Sequence, residues 1–407
     1  MRVRSIPSKF AFLMLVAMFA VPAFAQQPRK ESLLNGLKVL MFPDPSSDKV
    51  WVRIRVNSGS AFDPQGKEGL MQILSANFFP TDTAKEYFRD ELGGSLAITA
   101  NYDYIEVDAS SKPDDLVQML ETLSSGISNT GIDKDTTAKL KTDLTVKVKQ
   151  LEADPNYVAD RAAAKRLFGT FPYGRPIYGT EDSIKKIDVG DLLDAKQRFL
   201  TADNSTMAIS GNFQPNRILP AVKRYFGGWT KADRHVPATF RQAEDPDTAQ
   251  LTINIADVDT TYSRWARRAP GRADEGYAVA RVAAEATHGC YEYTANLLSG
   301  IWLSGDNSPG NGLLPIHSRN LCPRPTTISP LGIDEQSVSQ ARDQILSREN
   351  DPGSLERRWL DVDTYKLSSP DYEITRLKAV TISEVRAFET QLTATPRVSI
   401  LLTHVAK

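Results

Sequence analysis

The spacing of apolar residues changes character several times along the chain. Val50, Val52, Ile54 and Val56 alternate with Trp51, Arg53 and Arg55, and this period of two predicts a strand over 50–56 with a buried face. Leu37 to Phe42 predicts a strand before it, and Ser58-Gly59-Ser60 closes the second. From about Glu68 to Phe79 the period lengthens, placing Leu70, Ile73, Leu74 and Phe78 on one face of a helix. Another helix runs over 83–92 and stops before Gly93-Gly94; strands follow around 96–109. Helices are then predicted over 114–127, 134–152 (ended by Pro155), 156–168 and 189–199. A short strand over 207–210 and a helix over 216–226, stopped by Gly227-Gly228, complete this half.

The second half opens again with an alternating strand, 250–255. Helices over 275–286, 335–348, 355–367 and 383–392 follow, then a strand over 398–402. Strands then helices, repeated once, predict an α+β chain: a tandem of two domains of one type, each an antiparallel sheet packed against helices. Between them 231–246 has no period and two prolines, which predicts a linker. The expected division is 1–25, a first domain over 26–230, the linker, and a second domain over 247–407. From Ser263 to Pro330 the period fades among scattered Ser, Pro, Gly and Arg.

The first residues change this picture. Arg2, Arg4 and Lys9 precede the apolar run Phe10 to Val21, and Ala23-Phe24-Ala25 stands just before Gln26. A basic start, a short apolar core and an A-x-A site predict a signal peptide cleaved after Ala25, hence a periplasmic or secreted protein without a membrane anchor. The remaining residues suffice for two ordinary cores. With 49 basic against 50 acidic residues, no field favours nucleic acid or an anionic membrane. Cys290 and Cys322 are the two cysteines; an oxidising compartment would let them pair if the fold brings them together. A zinc site combining them with His288 and His317 matches no ligand spacing, and His235 and His404 stand alone. No phosphate or dinucleotide fingerprint follows any strand. The loop Ser304 to Gly312 reads as a surface turn.

Several segments together resemble one family. Asn35-Gly36-Leu37-Lys38-Val39, Asn57-Ser58-Gly59-Ser60 and Gly66-Lys67-Glu68-Gly69-Leu70 are similar to the opening of the insulinase/pitrilysin metallopeptidases, which include mitochondrial processing peptidase. The likeness continues through Gly93-Gly94, Tyr173-Gly174-Arg175-Pro176 and Gly179-Thr180-Glu181-Asp182-Ser183-Ile184, in order and at compatible spacing. It implies a pair of metallohydrolase-like domains forming half of a clam-shell.

Peptide-cutting members of that family carry H-x-x-E-H on the helix after this opening, with two histidines holding zinc and the glutamate polarising a water. Here the matching stretch reads Gln72-Ile73-Leu74-Ser75-Ala76, so Gln72, Ser75 and Ala76 replace all three. A further glutamate ligand of the family, counted back from Pro155, corresponds to Lys147, or to Val146 if the register slips by one. In place of the family's Asn-Ala pair on a substrate-holding edge strand stand Leu96-Ala97, whose main chain can still receive a peptide by strand addition. The family's Arg and Tyr seven residues apart are not matched: Tyr291 and Tyr293 have Ala284 and Ala286 seven positions earlier.

The resemblance therefore implies a non-catalytic chain without metal or other cofactor. Its expected partners are peptides and an active homologue carrying the zinc site, with which it forms a heterodimer. The alternatives are an active metallopeptidase with an unrecognised metal site and a free-standing peptide-binding protein.

Overall fold

The structure, a computed structural model, describes residues 27–233, 240–255, 261–308, 328–350 and 353–404, with backbone alone at 306–308 and 404. Residues 1–26, on which the expected signal peptide falls, and His235, His317 and Cys322 lie outside the described residues. Strands β1 (Arg29–Ser32), β2 (Lys38–Pro43), β3 (Val50–Val56), β4 (Ser95–Ala100), β5 (Ile105–Ser111) and β6 (Ser205–Gly211) form one sheet, in the order β1-β2-β6-β3-β5-β4. A second sheet contains β7 (Leu251–Ile255), β8 (Thr261–Ala269), β9 (Glu292–Ala295), β10 (Gly300–Ser308) and β11 (Arg397–His404), in the order β7-β11-β8-β10-β9.

Helices α1 (Leu70–Ala76) and α2 (Thr83–Asp90) lie between β3 and β4. Between β5 and β6 come α3 (Leu116–Gly126), α4 (Lys134–Glu152), α5 (Pro155–Phe168), α6 (Glu181–Lys186) and α7 (Val189–Phe199), and α8 (Pro215–Phe226) follows β6. The second half has α9 (Tyr277–Ala286), then α10 (Glu335–Arg348), α11 (Ser354–Tyr365), α12 (Tyr372–Ala379) and α13 (Ile382–Ala394) before β11.

The pairing pattern repeats strand for strand. β2 runs parallel to β6, and β6, β3, β5 and β4 follow antiparallel; β7 runs parallel to β11, and β11, β8, β10 and β9 follow antiparallel. The tandem α+β arrangement is thus present, with one correction: both sheets are mixed. The last strand of each repeat returns after its helices and inserts between the first two, and such a crossover permits a parallel pair.

Packing exchanges one helix between the halves. Ala159, Ala163 and Leu167 of α5 lie against Val398, Ile400 and Leu402 of the second sheet. In return, Trp359 and Leu360 of α11 cover Leu40, Phe42 and Ala208 of the first. The predicted apolar face of β3 is buried in the first core, but Arg53 and Arg55 on its other face are buried too, because α11 covers them.

Elements without a clear apolar period escaped the sequence reading: β1, α6, β8, β9, β10 and α12. Ser304 to Ser308 is not a turn but the end of β10, paired with β8; the remainder of that loop lies outside the described residues. In the predicted linker no helix or strand occurs among the described residues, yet the chain is docked: Phe240 meets Phe62 and Phe171 at ring distances of 5.3 and 6.2 Å.

Candidate functional site

The start of α1 is set by local chemistry. Asp63 accepts from the backbone N–H of Gly69 (2.8 Å) and Met71 (2.9 Å), satisfying donors that a helix N-terminus leaves free. Burial pushes its carboxyl up to about 7, opposed by those two bonds and by Arg175, and abetted by Glu68. Gly69 has φ +99, and a Cβ there would meet the Tyr178 carbonyl oxygen at 2.8 Å. Gly179 (φ +75) sits against the Glu68 carbonyl oxygen, 2.1 Å from where its own Cβ would be. Ser183 Oγ donates to that same oxygen at 2.8 Å. The motifs at 66–70 and 179–184 therefore interlock, and together they fix α1 beside α4.

Gln72, Ser75 and Ala76 on α1, Lys147 on α4, and Ile98 and Ala100 on β4 line a single cleft of about 400 Å³. All four positions at which the sequence departs from H-x-x-E-H and its glutamate thus meet in one place. Val146 is half exposed on the other side of α4, so Lys147 is the residue of that pair that faces the cleft. Gln72 Nε2 donates to the Ala100 carbonyl oxygen (2.9 Å) and Ser75 Oγ to the Gln72 carbonyl oxygen (2.9 Å). Lys147 Nζ lies 3.8 Å from the centre of the Tyr178 ring, a cation–π contact.

Zinc chemistry needs imidazole, thiolate or carboxylate donors, and these four side chains supply none. An amide already donating and an ammonium do not fit a cation. Asp82 and Asp143 also line the cleft but pair with Lys85 (3.1 Å) and Lys139 (3.4 Å). Among the described residues no group of three His, Cys, Asp or Glu could hold a metal ion.

β4 is the outer strand of its sheet, paired with β5 alone. The Leu96 side chain is buried in the core, and Ala97 is exposed. Leu96 can therefore contribute only its main chain to a ligand. Hydrogen-bonding direction alternates along an antiparallel strand, and the Ala100 carbonyl points outward to Gln72. By that alternation the main-chain groups of Ile98 and Leu96 face outward as well, leaving an edge able to pair with an extended peptide.

Tyr291 and Tyr293 do not reach this cleft. Both rings stack near Trp302, at 5.6 and 6.2 Å, in the second core. Sequence reasoning missed Ile98 and Ala100 in the cleft lining, and Tyr178, which touches Lys147 without lining the cleft. The position of Tyr178 directly before the Gly179 motif was the one available signal.

A tandem of two α+β units, each a mixed sheet packed against helices, with a cleft between α1, α4 and β4, is the class that these features define. Residues 38–181 match the family model described as insulinase (peptidase family M16), and residues 186–289 match that described as peptidase M16 inactive domain. The chain belongs to the insulinase, or M16, family of peptidases. An uncharacterized zinc protease of Bacillus subtilis is 21% identical over 244 residues, 56% of this chain and 59% of that protein. A protein of Arabidopsis thaliana named as mitochondrial-processing peptidase subunit beta is 22% identical over 250 residues, 60% of this chain and 46% of its own length. The chain thus spans about half the length of these relatives. In three dimensions it is similar to the peptidase M16 inactive domain from Pseudomonas fluorescens, with TM-score 0.76 and 15% identity, covering 93% of this chain and 98% of that one.

Proposed function

We propose that this chain is a non-catalytic, peptide-holding member of the insulinase family that pairs with an active, zinc-bearing homologue. The observation that carries the reading is the convergence of Gln72, Ser75, Ala76 and Lys147 on one cleft beside an open strand edge. The edge offers main-chain donors and acceptors to an extended peptide, and Gln72, Ser75, Ala76 and Lys147 beside it supply no imidazole, thiolate or carboxylate to a metal. Pairing is supported by the relative named as a subunit of mitochondrial-processing peptidase. We place the protein in the periplasm or outside the cell, a reading that rests on the basic start, the short apolar run and Ala23-Phe24-Ala25 before Gln26. Zinc belongs to the partner alone.

The test is isolation of the tagged protein from its own cell. A co-purifying homologue with intact H-x-x-E-H, together with chelator-sensitive cleavage of unfolded peptides by the pair and none by this chain alone, is the expected result. A strictly monomeric protein without any peptidase overturns the pairing. Chelator-sensitive cleavage by this chain alone would instead establish the rival reading, an active metallopeptidase.

A further inference from the structure

We infer that the cleft has changed the sign of its ligand: where the family's active members bind a cation, this chain binds a carboxylate of an extended peptide, with Lys147 as the counter-charge. The inference deepens the peptide-holding reading and rests on it.

Three lysines and two aspartates line the cleft. Lys85 is paired with Asp82 and Lys139 with Asp143, and Lys139 also donates to the Pro80 carbonyl oxygen (3.2 Å). Lys147 makes no ion pair among the described residues; its ammonium is held over the Tyr178 ring. An aromatic face orients a cation without neutralising it, so an uncompensated positive charge remains on a residue that shares the cleft with Ile98 and Ala100 of β4. Tyr178 is itself fixed by the Gly69 and Gly179 contacts, which are tight enough to exclude any side chain at either position. The charge is therefore placed by the fold.

Gln72 shapes the rest. By donating to the Ala100 carbonyl it competes for that acceptor at the end of β4, leaving the outward main-chain groups of Leu96 and Ile98 for a peptide strand. Ile98 of that stretch lines the same cleft as Gln72, Ala76 and Lys147, so a peptide paired with it enters the cleft that holds the ammonium. The complementary group is an anion, and the anions a peptide carries are its terminal carboxylate and its Asp or Glu side chains.

Isothermal titration calorimetry at low salt tests this with a short peptide of alternating Thr and Ser in four versions: a central Asp or Asn, each with a free or an amidated C-terminus. The expected result is that at least one carboxylate tightens binding to the unmodified protein by roughly fivefold, the scale of a partly exposed ion pair. The preference should shrink as salt is raised. Which carboxylate matters distinguishes a side chain from the chain terminus. Lys147→Gln should bind the neutral peptide as before and show no preference, and Lys147→Glu should prefer the neutral version. Equal binding of all four versions by the unmodified protein, or a preference that survives in Lys147→Gln, overturns the carboxylate site while leaving peptide holding intact. Failure to bind any version overturns both.

Discussion

Arg55 on β3 donates through Nη1 to Asp361 on α11 at 2.5 Å, and the other oxygen of the same carboxylate accepts from Arg272 Nη2 at 2.8 Å. Asp361 thus joins two guanidinium groups from opposite halves of the chain. Glu106 holds the far side of Arg55 and Glu373 that of Arg272, both at 2.6 Å, and the Arg55 side chain is only 2% exposed. Buried charges are costly unless fully compensated, so this cluster fixes α11 on the first sheet more than it adds net stability.

Removing the shared carboxylate leaves two buried arginines short of a partner. Asp361→Ala should lower the unfolding free energy by about 3–5 kcal/mol, measured by urea denaturation. A loss under about 1 kcal/mol would show that this cluster contributes little to holding the halves together.

The pH dependence of stability follows from Asp63. Its carboxyl is raised by burial from an ordinary 3.8 to about 7, so the folded state binds a proton that the unfolded state has released. That contribution is fully present below the ordinary value and is lost as pH rises through about 7. Asp103, raised by burial to about 6, acts in the same direction. The melting temperature should therefore fall between about pH 4 and about pH 7 and level off above. Asp63→Asn should flatten that fall; a slope identical to that of the unmodified protein counts against the assignment.

Much of this fold was legible where an apolar period met a single buried face. The helices over 134–152, 189–199 and 335–348 have the bounds predicted, since each shows one apolar stripe and a clear stop. β8 was not legible because Arg264, Arg267 and Arg268 break its pattern. Each has a structural partner that no local sequence reveals: Arg264 pairs with Asp160 on α5 (2.6 Å), Arg267 donates to the Thr395 carbonyl, and Arg268 to that of Leu167. Helix exchange turns both faces of a central strand inward, so polar residues there read as exposed chain. The cleft shows the opposite case. Its four altered positions were readable from spacing against a family pattern, whereas Tyr178 and Ile98 enter through tertiary contacts alone.

Peptide pairing along β4 can be separated from fold stability. Ile98 presents its main chain outward, so proline there removes a donor that the ladder to β5 does not use, as tolerated on edge strands. Ile98→Pro should abolish binding of a neutral extended peptide while changing the unfolding free energy by less than about 1–2 kcal/mol, and Ile98→Ala should retain binding. Unimpaired binding by Ile98→Pro would move the peptide site off this edge.

Ligand side chains alone can restore a metal site here only if the backbone of the cleft is still able to present one. Positions 72 and 76 are one helical turn apart on the cleft face of α1, and position 147 lies across from them on α4. Gln72→His, Ala76→His and Lys147→Glu together should therefore create a site of two imidazoles and one carboxylate, the ligand count of a catalytic zinc centre with its fourth place open. Dialysed protein measured by plasma emission should contain about one zinc per chain in the triple variant and no stoichiometric metal in the unmodified protein. The triple variant should still not cut peptides, because Ser75 supplies no base to the bound water; adding Ser75→Glu is the step that would introduce one. Tightly held metal in the unmodified protein, removed by Lys147→Ala, would show that this cleft kept its cation, and both the non-catalytic reading and the carboxylate site would fall.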